Sequence, residues 1–325
     1  MRGVSCQGMV KAPLACIVVL NYNGRDHLGY CLPSVLQTDY PNYHVIVVDN
    51  ASTDGSLEMV RTICPTATLI TSETNRGWSG GNNLGIQAAL QMGVEYIVLA
   101  NNDIRVDARW LTVAAQVAEE DLRVGVIGFE VLEPQPGSSD RDAGFELAKA
   151  RWKEVRFSSP VYVGGMAMFL RAQMVERIGL IDERFFAYGE ENDLQVRARK
   201  AGYRVLAVNV PVWHHGQGTF GEIPLRAAIL QTRNNIQLLI KHHSVAQVLE
   251  SGARHIRARV LRREALRGDS PVERRLRHSN ILVRLCISAY ALIWNLLHLG
   301  SILWRRREDN RRADIARQLL EREWS

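Results

Sequence analysis

Apolar residues in the first 130 positions fall in short continuous runs separated by stretches of helical period. The runs Ala15 to Leu20, His44 to Val48, Thr68 to Thr71, Tyr96 to Leu99 and Val124 to Ile127 are rich in Val, Ile and Leu on successive positions. That pattern predicts strands buried on both faces. Between them, Arg25 to Leu36, Ser56 to Ile63, Gly80 to Met92 and Ala108 to Ala118 space their apolar residues as helices do. The alternation predicts βαβ units on a parallel sheet. Residues 133–160, rich in Pro, Gly, Ser and charge, read as a surface excursion. A strand near Val161 to Phe169, helices from Arg171 to Ile178 and from about Glu190, and a strand Arg204 to Val208 follow. From Leu225 onward the pattern is almost wholly helical. The expected fold is therefore α/β with a mostly parallel central sheet in residues 1–245 and a helical C-terminal region in residues 246–325.

Within that region, Leu285 to Trp304 is 20 residues long and carries no formal charge. It is long enough to cross a bilayer. Arg284, Ser288, Asn295 and His298 nevertheless share one helical face, which favours a helix in the membrane interface, packed on the domain, or pairing with a second copy. Charge sharpens the contrast. Residues 251–325 hold 17 arginines and 8 acidic residues, a net of +9, which leaves −3 of the chain's +6 to the first 250 residues. No helix-turn-helix, zinc-finger or RNP pattern accompanies this basicity, so an anionic membrane surface is the expected partner and nucleic acid is not.

Composition bounds the class: 325 residues, 46% hydrophobic and 23% charged, supply a sizeable core and exclude disorder and collagen. No repeat of solenoid length occurs. The five cysteines are odd in number, scattered and never C-x-x-C, which argues against a disulfide framework or structural zinc. Lys11 and the apolar run from Pro13 imitate a signal peptide, but Asn21-Tyr22-Asn23-Gly24 follows where a small-residue cleavage site belongs. A reducing cytosol, with the chain peripheral on the cytoplasmic face of the membrane, is the expected location.

Ligands of open parallel sheets bind beyond the carboxyl ends of the strands. Those ends are strongly polar here: Asn21-Tyr22-Asn23, then Asp49 to Gly55, then Asn75 to Asn83 after the third strand, then Asn101-Asn102-Asp103. Asn, Asp and Gly are also ordinary turn and cap residues, and Asp54 or Ser52 would serve to cap the next helix. Four such loops at one sheet edge can together hold a ribose, a base edge and a diphosphate. Neither G-x-G-x-x-G nor a P-loop is present. Asp103 at a strand mouth suits Mg²⁺ or Mn²⁺ completed by phosphate oxygens and water, with His214 or His215 as an imidazole ligand. Glu190, Glu191 and Asp193 open a helix, where its dipole stabilises acids. Glu190 and Asp193 share a face, so Glu191 projects elsewhere and is free to act as a general base.

The blocks VVLNYNG (18–24), VIVVDNASTDGS (45–56), NRGWSGGNN (75–83), VLANND (98–103), GEENDL (189–194), WHHGQGT (213–219) and TRNN (232–235) occur in this order. Together they resemble family 2 inverting glycosyltransferases of the GT-A fold, in the branch that includes many bacterial rhamnosyltransferases. The resemblance runs from about Ala15 to Leu239. It implies a nucleotide-diphosphate sugar donor bound by Asn21, Tyr22, Asp49, Asn75, Arg76, Gly77, Gly81, Asn82, Asn101 and Asn102. It implies a divalent cation on Asp103 and His214, and Glu191 as catalytic base, with Glu190 the alternative. Trp78, Tyr188 and Trp213 are candidates for stacking on the acceptor, a glycan or lipid-linked saccharide. The metal motif has Asn101 where a stricter D-x-D has its first carboxylate, and the base position carries Glu where Asp is frequent. The competing readings are a polyprenol-phosphate sugar synthase, using the same donor site, and a non-catalytic sugar-nucleotide-binding protein.

Overall fold

The computed structural model describes residues 12–133, 143–215, 224–248, 250–251 and 280–323. Lys11, part of the excursion, the end of the histidine block (216–219) and most of the basic stretch 252–279 lie outside the described residues.

Among the described residues nine strands form one sheet in the order β3-β2-β1-β4-β8-β6-β9-β5, with β7 paired to β9. They are β1 (Ala15–Asn21), β2 (Tyr43–Asp49), β3 (Thr68–Thr71), β4 (Tyr96–Asn101), β5 (Ile104–Val106), β6 (Val124–Leu132), β7 (Phe157–Ser158), β8 (Ala167–Arg171) and β9 (Arg204–His214). The helices are α1 (Arg25–Leu36), α2 (Ser56–Ile63), α3 (Gly77–Gln91), α4 (Trp110–Glu120), α5 (Ala143–Arg151), α6 (Ala172–Ile178), α7 (Glu190–Lys200), α8 (Pro224–His242), α9 (Ile281–Leu297) and α10 (Leu299–Arg322). A 3-10 turn, Glu183–Phe185, precedes α7.

β1 shows why the runs are continuous. Ala15, Ile17 and Val19 enter one core layer and Cys16, Val18 and Leu20 the other. Successive strand side chains point to opposite faces, so helices on both sides demand apolar residues at every position. β3-β2-β1-β4 is parallel, as is β6 with β9. β8 runs antiparallel between β4 and β6. A strand buried on both faces is apolar throughout whatever its direction, so the mixed half of the sheet leaves no trace in the pattern.

Several elements differ from the expected spans, among them β6, which runs on to Leu132, and two others with consequences for the site. Pairing near Val161 to Phe169 begins only at Ala167, because Gln195 of α7 takes the place of a strand for Val163. It accepts from the Val163 amide and donates to the Val163 carbonyl, each at 2.8 Å. β9 in turn continues six residues past Val208, through Pro211, to His214. Its pairing with β6 shifts register between Gly128 and Glu130, which accommodates a residue without an amide donor. The extension carries His214 alongside Ile104 of β5.

The C-terminal helices belong to the same packed body. Ala313, Ala316 and Leu320 of α10 enter the core layer formed with α3, α6 and α7. Lys241 of α8, wholly buried, joins Asp193 of α7 at 2.6 Å, Asp309 of α10 at 2.9 Å and Asp182 at 3.0 Å. Burial alone would raise the Asp193 carboxyl, but Lys241 and Arg197 outweigh it and hold it well below the ordinary range. No single described helix is long and apolar enough to cross a membrane. α9 and α10 meet that test only as a pair, and they bend by 65° at their junction.

Candidate active site

Three parallel strands end level with one another: Asn21 of β1 lies opposite Asp49 of β2, and Leu20 opposite Asn101 of β4. Asn21 is wholly buried and acts as a strut beneath this mouth. Its amide nitrogen donates to Asp49 Oδ1 at 3.0 Å and to Ser52 Oγ at 3.1 Å, and its oxygen accepts from Asn102 Nδ2 at 2.7 Å. Asp49 also accepts from the Ser52 amide at 3.0 Å. Asp54 accepts from the first backbone amides of two helices, Ser56 of α2 and Arg25 of α1, at 3.0 and 2.8 Å. Tyr22 stands half-buried at the rim.

Asn50, a residue not singled out from the sequence, builds the next loop. It donates to Asn75 Oδ1 and the Gly77 carbonyl, both at 3.1 Å, and accepts from the Arg76 amide at 2.9 Å. Asn75 Oδ1 in turn accepts from the Gly77 amide at 2.8 Å. Gly77 has φ +70°, and a Cβ there would lie 2.3 Å from the Phe186 carbonyl oxygen, so only glycine fits. Arg76 forms an ion pair with Glu183 at 3.0 Å. Gly81 faces inward: a Cβ would lie 2.4 Å from Leu20 Cδ1, so its role is the close approach of α3 to β1. Asn82 is buried beside it and donates to the Trp78 carbonyl at 2.9 Å. The Asn82 Oδ1 atom is buried without a hydrogen-bond partner.

Asp103 lies just past β4, buried, with no hydrogen bond to either carboxylate oxygen. His214 Nε2 stands 3.3 Å from Asp103 Oδ2, and the His215 amide donates to the Asp103 carbonyl at 3.0 Å. Burial works to raise the carboxyl, but His214 and then His27 hold it below its usual value. Burial likewise works to lower the His214 imidazole, and Asp103 with Glu133, 3.4 Å from Nδ1, brings it above its usual value. Among the described residues no three His, Cys, Asp or Glu side chains form a ready-made metal cage. One buried carboxylate without hydrogen bonds beside one imidazole fits a hard divalent cation whose remaining ligands come from substrate and water.

Across from this pair, the turn before α7 is wound into an unusual backbone. Phe186, Tyr188 and Gly189 have φ of +65°, +73° and +94°. Asn234 of α8 donates to the carbonyls of Phe185 and Ala187 at 2.9 and 2.8 Å, and Arg233 Nη2 to those of Arg184 and Phe185, both at 2.8 Å. In the sequence these two stand only within the TRNN block (232–235); their partners are more than 40 residues away. Glu190, the first residue of α7, is buried with Oε2 unpartnered, and burial followed by the Glu191 charge pushes its carboxyl well above the ordinary range. Glu191 accepts from the Gly189 amide at 3.0 Å, and burial raises its carboxyl too. A Cβ built on Gly165 would lie 3.1 Å from the Trp78 ring and 3.5 Å from Glu191 Cβ, so the two side chains flank one point. Trp78 Nε1 donates to Asn101 Oδ1 at 2.9 Å, which links the Glu191 side of the cleft to the Asn101-Asn102-Asp103 turn.

Of the aromatic candidates, Trp78 and Tyr188 border this cleft and Trp213 does not. Trp213 is 3% exposed and packs at a tilt against Phe145 of α5, with centroids 6.5 Å apart. Alternation along β9 explains the difference: His214 points to the mouth, so its neighbour points into the core.

The family description Glycosyl transferase family 2 matches residues 16–176. The galactofuranosyltransferase GlfT1 of Mycolicibacterium smegmatis is 27% identical over 205 residues, 60% of this chain and 68% of that protein. The N-acetylglucosaminyl-diphospho-decaprenol L-rhamnosyltransferase of Mycobacterium tuberculosis is 24% identical over 262 residues, covering 70% and 84%. Among solved structures, the mannosyltransferase PcManGT of Pyrobaculum calidifontis, in complex with GDP-Man and Mn²⁺, superposes with a TM-score of 0.52 at 18% identity, over 95% of this chain and 88% of that one. TarS of S. aureus also gives 0.52, at 15% identity, over 95% and 91%. The sheet order, the polar strand ends and these likenesses agree: the chain has the GT-A fold and carries a glycosyltransferase family 2 domain over residues 16–176, and it resembles the family's rhamnosyltransferases.

Proposed function

We propose that the protein is an inverting glycosyltransferase that moves a sugar from a nucleoside diphosphate to a hydroxyl of a glycan or lipid-linked saccharide, in assembly of a cell-surface polysaccharide or glycolipid. The observation that carries this reading is the Asp103 carboxylate, buried and without a hydrogen bond at the mouth of a parallel sheet. Among the described residues its one close partner is the His214 imidazole at 3.3 Å, which leaves acceptor positions that a cation would complete. Asp103 and His214 would hold Mg²⁺ or Mn²⁺ there. A bound cation offsets the charge that develops on a departing nucleoside diphosphate.

The chain's own residues supply the rest. Asp49 and the turn Asn75 to Gly77, held by Asn21 and Asn50, frame the nucleoside. Glu191 removes the proton of the acceptor hydroxyl, whose oxygen attacks the anomeric carbon opposite the leaving diphosphate, so configuration inverts in one displacement. A carboxylate raised by burial is a better base than one in water. The relatives support the chemistry: a fold neighbour forms a complex with GDP-Man and Mn²⁺, and the mycobacterial rhamnosyltransferase takes its name from an N-acetylglucosaminyl-diphospho-decaprenol acceptor.

The test is a panel of nucleotide sugars added to the purified protein with Mn²⁺ or Mg²⁺ or with chelator, read as thermal midpoint. One donor should stabilise the fold only with metal, and the product made from it should have the opposite anomeric configuration by NMR. No metal-dependent stabilisation by any nucleotide sugar would defeat the proposal.

A further inference from the structure

α9 is mounted with its polar face inward. Arg284 and Asn295 are 6% and 2% exposed, and Ile287 and Ala291 are buried on the same stripe. The Asn295 amide donates to the Arg233 carbonyl of α8 at 2.9 Å, and the Arg233 guanidinium lies over the Trp294 ring, 4.5 Å from its centroid. These contacts fix the helix rotation and leave its apolar face outside. Leu296 and Leu297 are 67% and 79% exposed, with Leu282 and Ile293 also exposed, and Trp304 continues the surface beyond the bend. A contiguous apolar strip of this kind on a folded domain marks a surface that meets something else.

We propose that this strip is a docking face for an anionic lipid bilayer, on which α9 lies in the plane of the headgroups. Charge selects the occupant. Trp304 is followed by Arg305, which faces Asp182 and Asp309, by Arg306, which donates to the Ile240 and His243 carbonyls, and by the exposed Arg307. Residues 251–325 carry +9 against −3 for the rest of the chain. An apolar face edged by arginine and an aromatic residue suits the boundary between headgroups and acyl chains. A second copy would bring the same excess of positive charge against itself, whereas anionic headgroups neutralise it. α9 has 17 residues and is followed by a 65° bend, a geometry for lying on a surface. Docking also orients the cleft. α9 holds Arg233, Arg233 and Asn234 hold the turn before α7, and Lys241 ties α10 to α7.

This inference goes beyond the transfer reaction and stands without it. The test is flotation of the full chain with vesicles of phosphatidylcholine alone or mixed with phosphatidylglycerol, at low and high salt, alongside the double variant Leu296→Glu, Leu297→Glu. Both positions are exposed, so the variant should keep the wild-type circular dichroism and thermal midpoint. Wild type should float with the anionic vesicles and be released by salt, and the variant should bind them at least about tenfold more weakly. Wild type left unbound by anionic vesicles would overturn the proposal, as would a variant that floats equally well. A lipid-free wild-type dimer that the variant converts to monomer would assign the face to a second copy instead. No sugar donor enters the assay, so failure here leaves the transferase reading untouched.

Discussion

The amide of Asn234 donates to the carbonyl of Tyr188 at 2.7 Å, across 46 residues of sequence. The same nitrogen reaches the carbonyls of Phe185 and Ala187, so one side chain binds a turn in which two non-glycine residues have positive φ. Each such residue costs roughly 1–2 kcal/mol, and it persists only where the surroundings enforce it. The turn leads directly into Glu190 and Glu191, so Asn234 sets where those carboxylates stand.

Asn234→Ala should therefore lower kcat by about tenfold or more while donor KM stays within about twofold, because positioning of the base is lost and the nucleoside pocket is not. Asn234→Asp should fare no better, since a carboxylate accepts and cannot donate to a carbonyl. Steady-state kinetics of both variants checks the split.

Glu191→Gln preserves shape and removes basicity. Transfer should fall by roughly 10²–10⁴-fold with donor affinity by calorimetry unchanged. In the wild type, the base must be ionised to act. Burial lifts its carboxyl above 4.5, so kcat/KM should decline as pH falls through that raised value, earlier than for an exposed glutamate. Glu190 is 4% exposed, and with Glu191 as the base Glu190→Gln should retain the acid limb that Glu191→Gln abolishes.

Asp103→Asn keeps the side-chain size and removes the charge. Stabilisation by nucleotide sugar with Mn²⁺ should weaken by at least about tenfold, as measured from the thermal midpoint against donor concentration. With chelator in place of Mn²⁺, where the donor is expected not to stabilise the fold, wild type and variant should give the same midpoint.

Lys241 lies among Asp182, Asp193 and Asp309. Lys241→Met leaves these buried acids short of a cation and should cost about 3–5 kcal/mol by urea unfolding at neutral pH. The folded-state values of Asp182 and Asp193 are depressed, so their stabilisation is fully present above the unfolded value of about 3.9 and is lost as pH falls below it. Wild-type stability should drop steeply there, and Lys241→Met should flatten that drop, because without the cation the two folded values rise toward the unfolded one.

The local pattern was enough for the βαβ half of the sheet, since a doubly buried strand and an amphipathic helix each write their burial into consecutive residues. The polar strand ends, Asp103 and the carboxylates of α7 were legible for the same reason: each is a chemical type at a known end of an element. Tertiary structure alone decided which of them meet. His214 reaches Asp103 because β9 runs on past Val208, and Trp213, one residue earlier, is turned into the core. Asn50, Arg233 and Asn234 act through partners distant in sequence, and no spacing encodes a hydrogen bond of that range. The 20-residue uncharged run Leu285 to Trp304 read as one long helix; the fold bends it at His298 and turns its polar residues inward. Periodicity states which residues of a helix share a face, but which face is buried depends on the surface it packs against, and that surface exists only once the chain has folded.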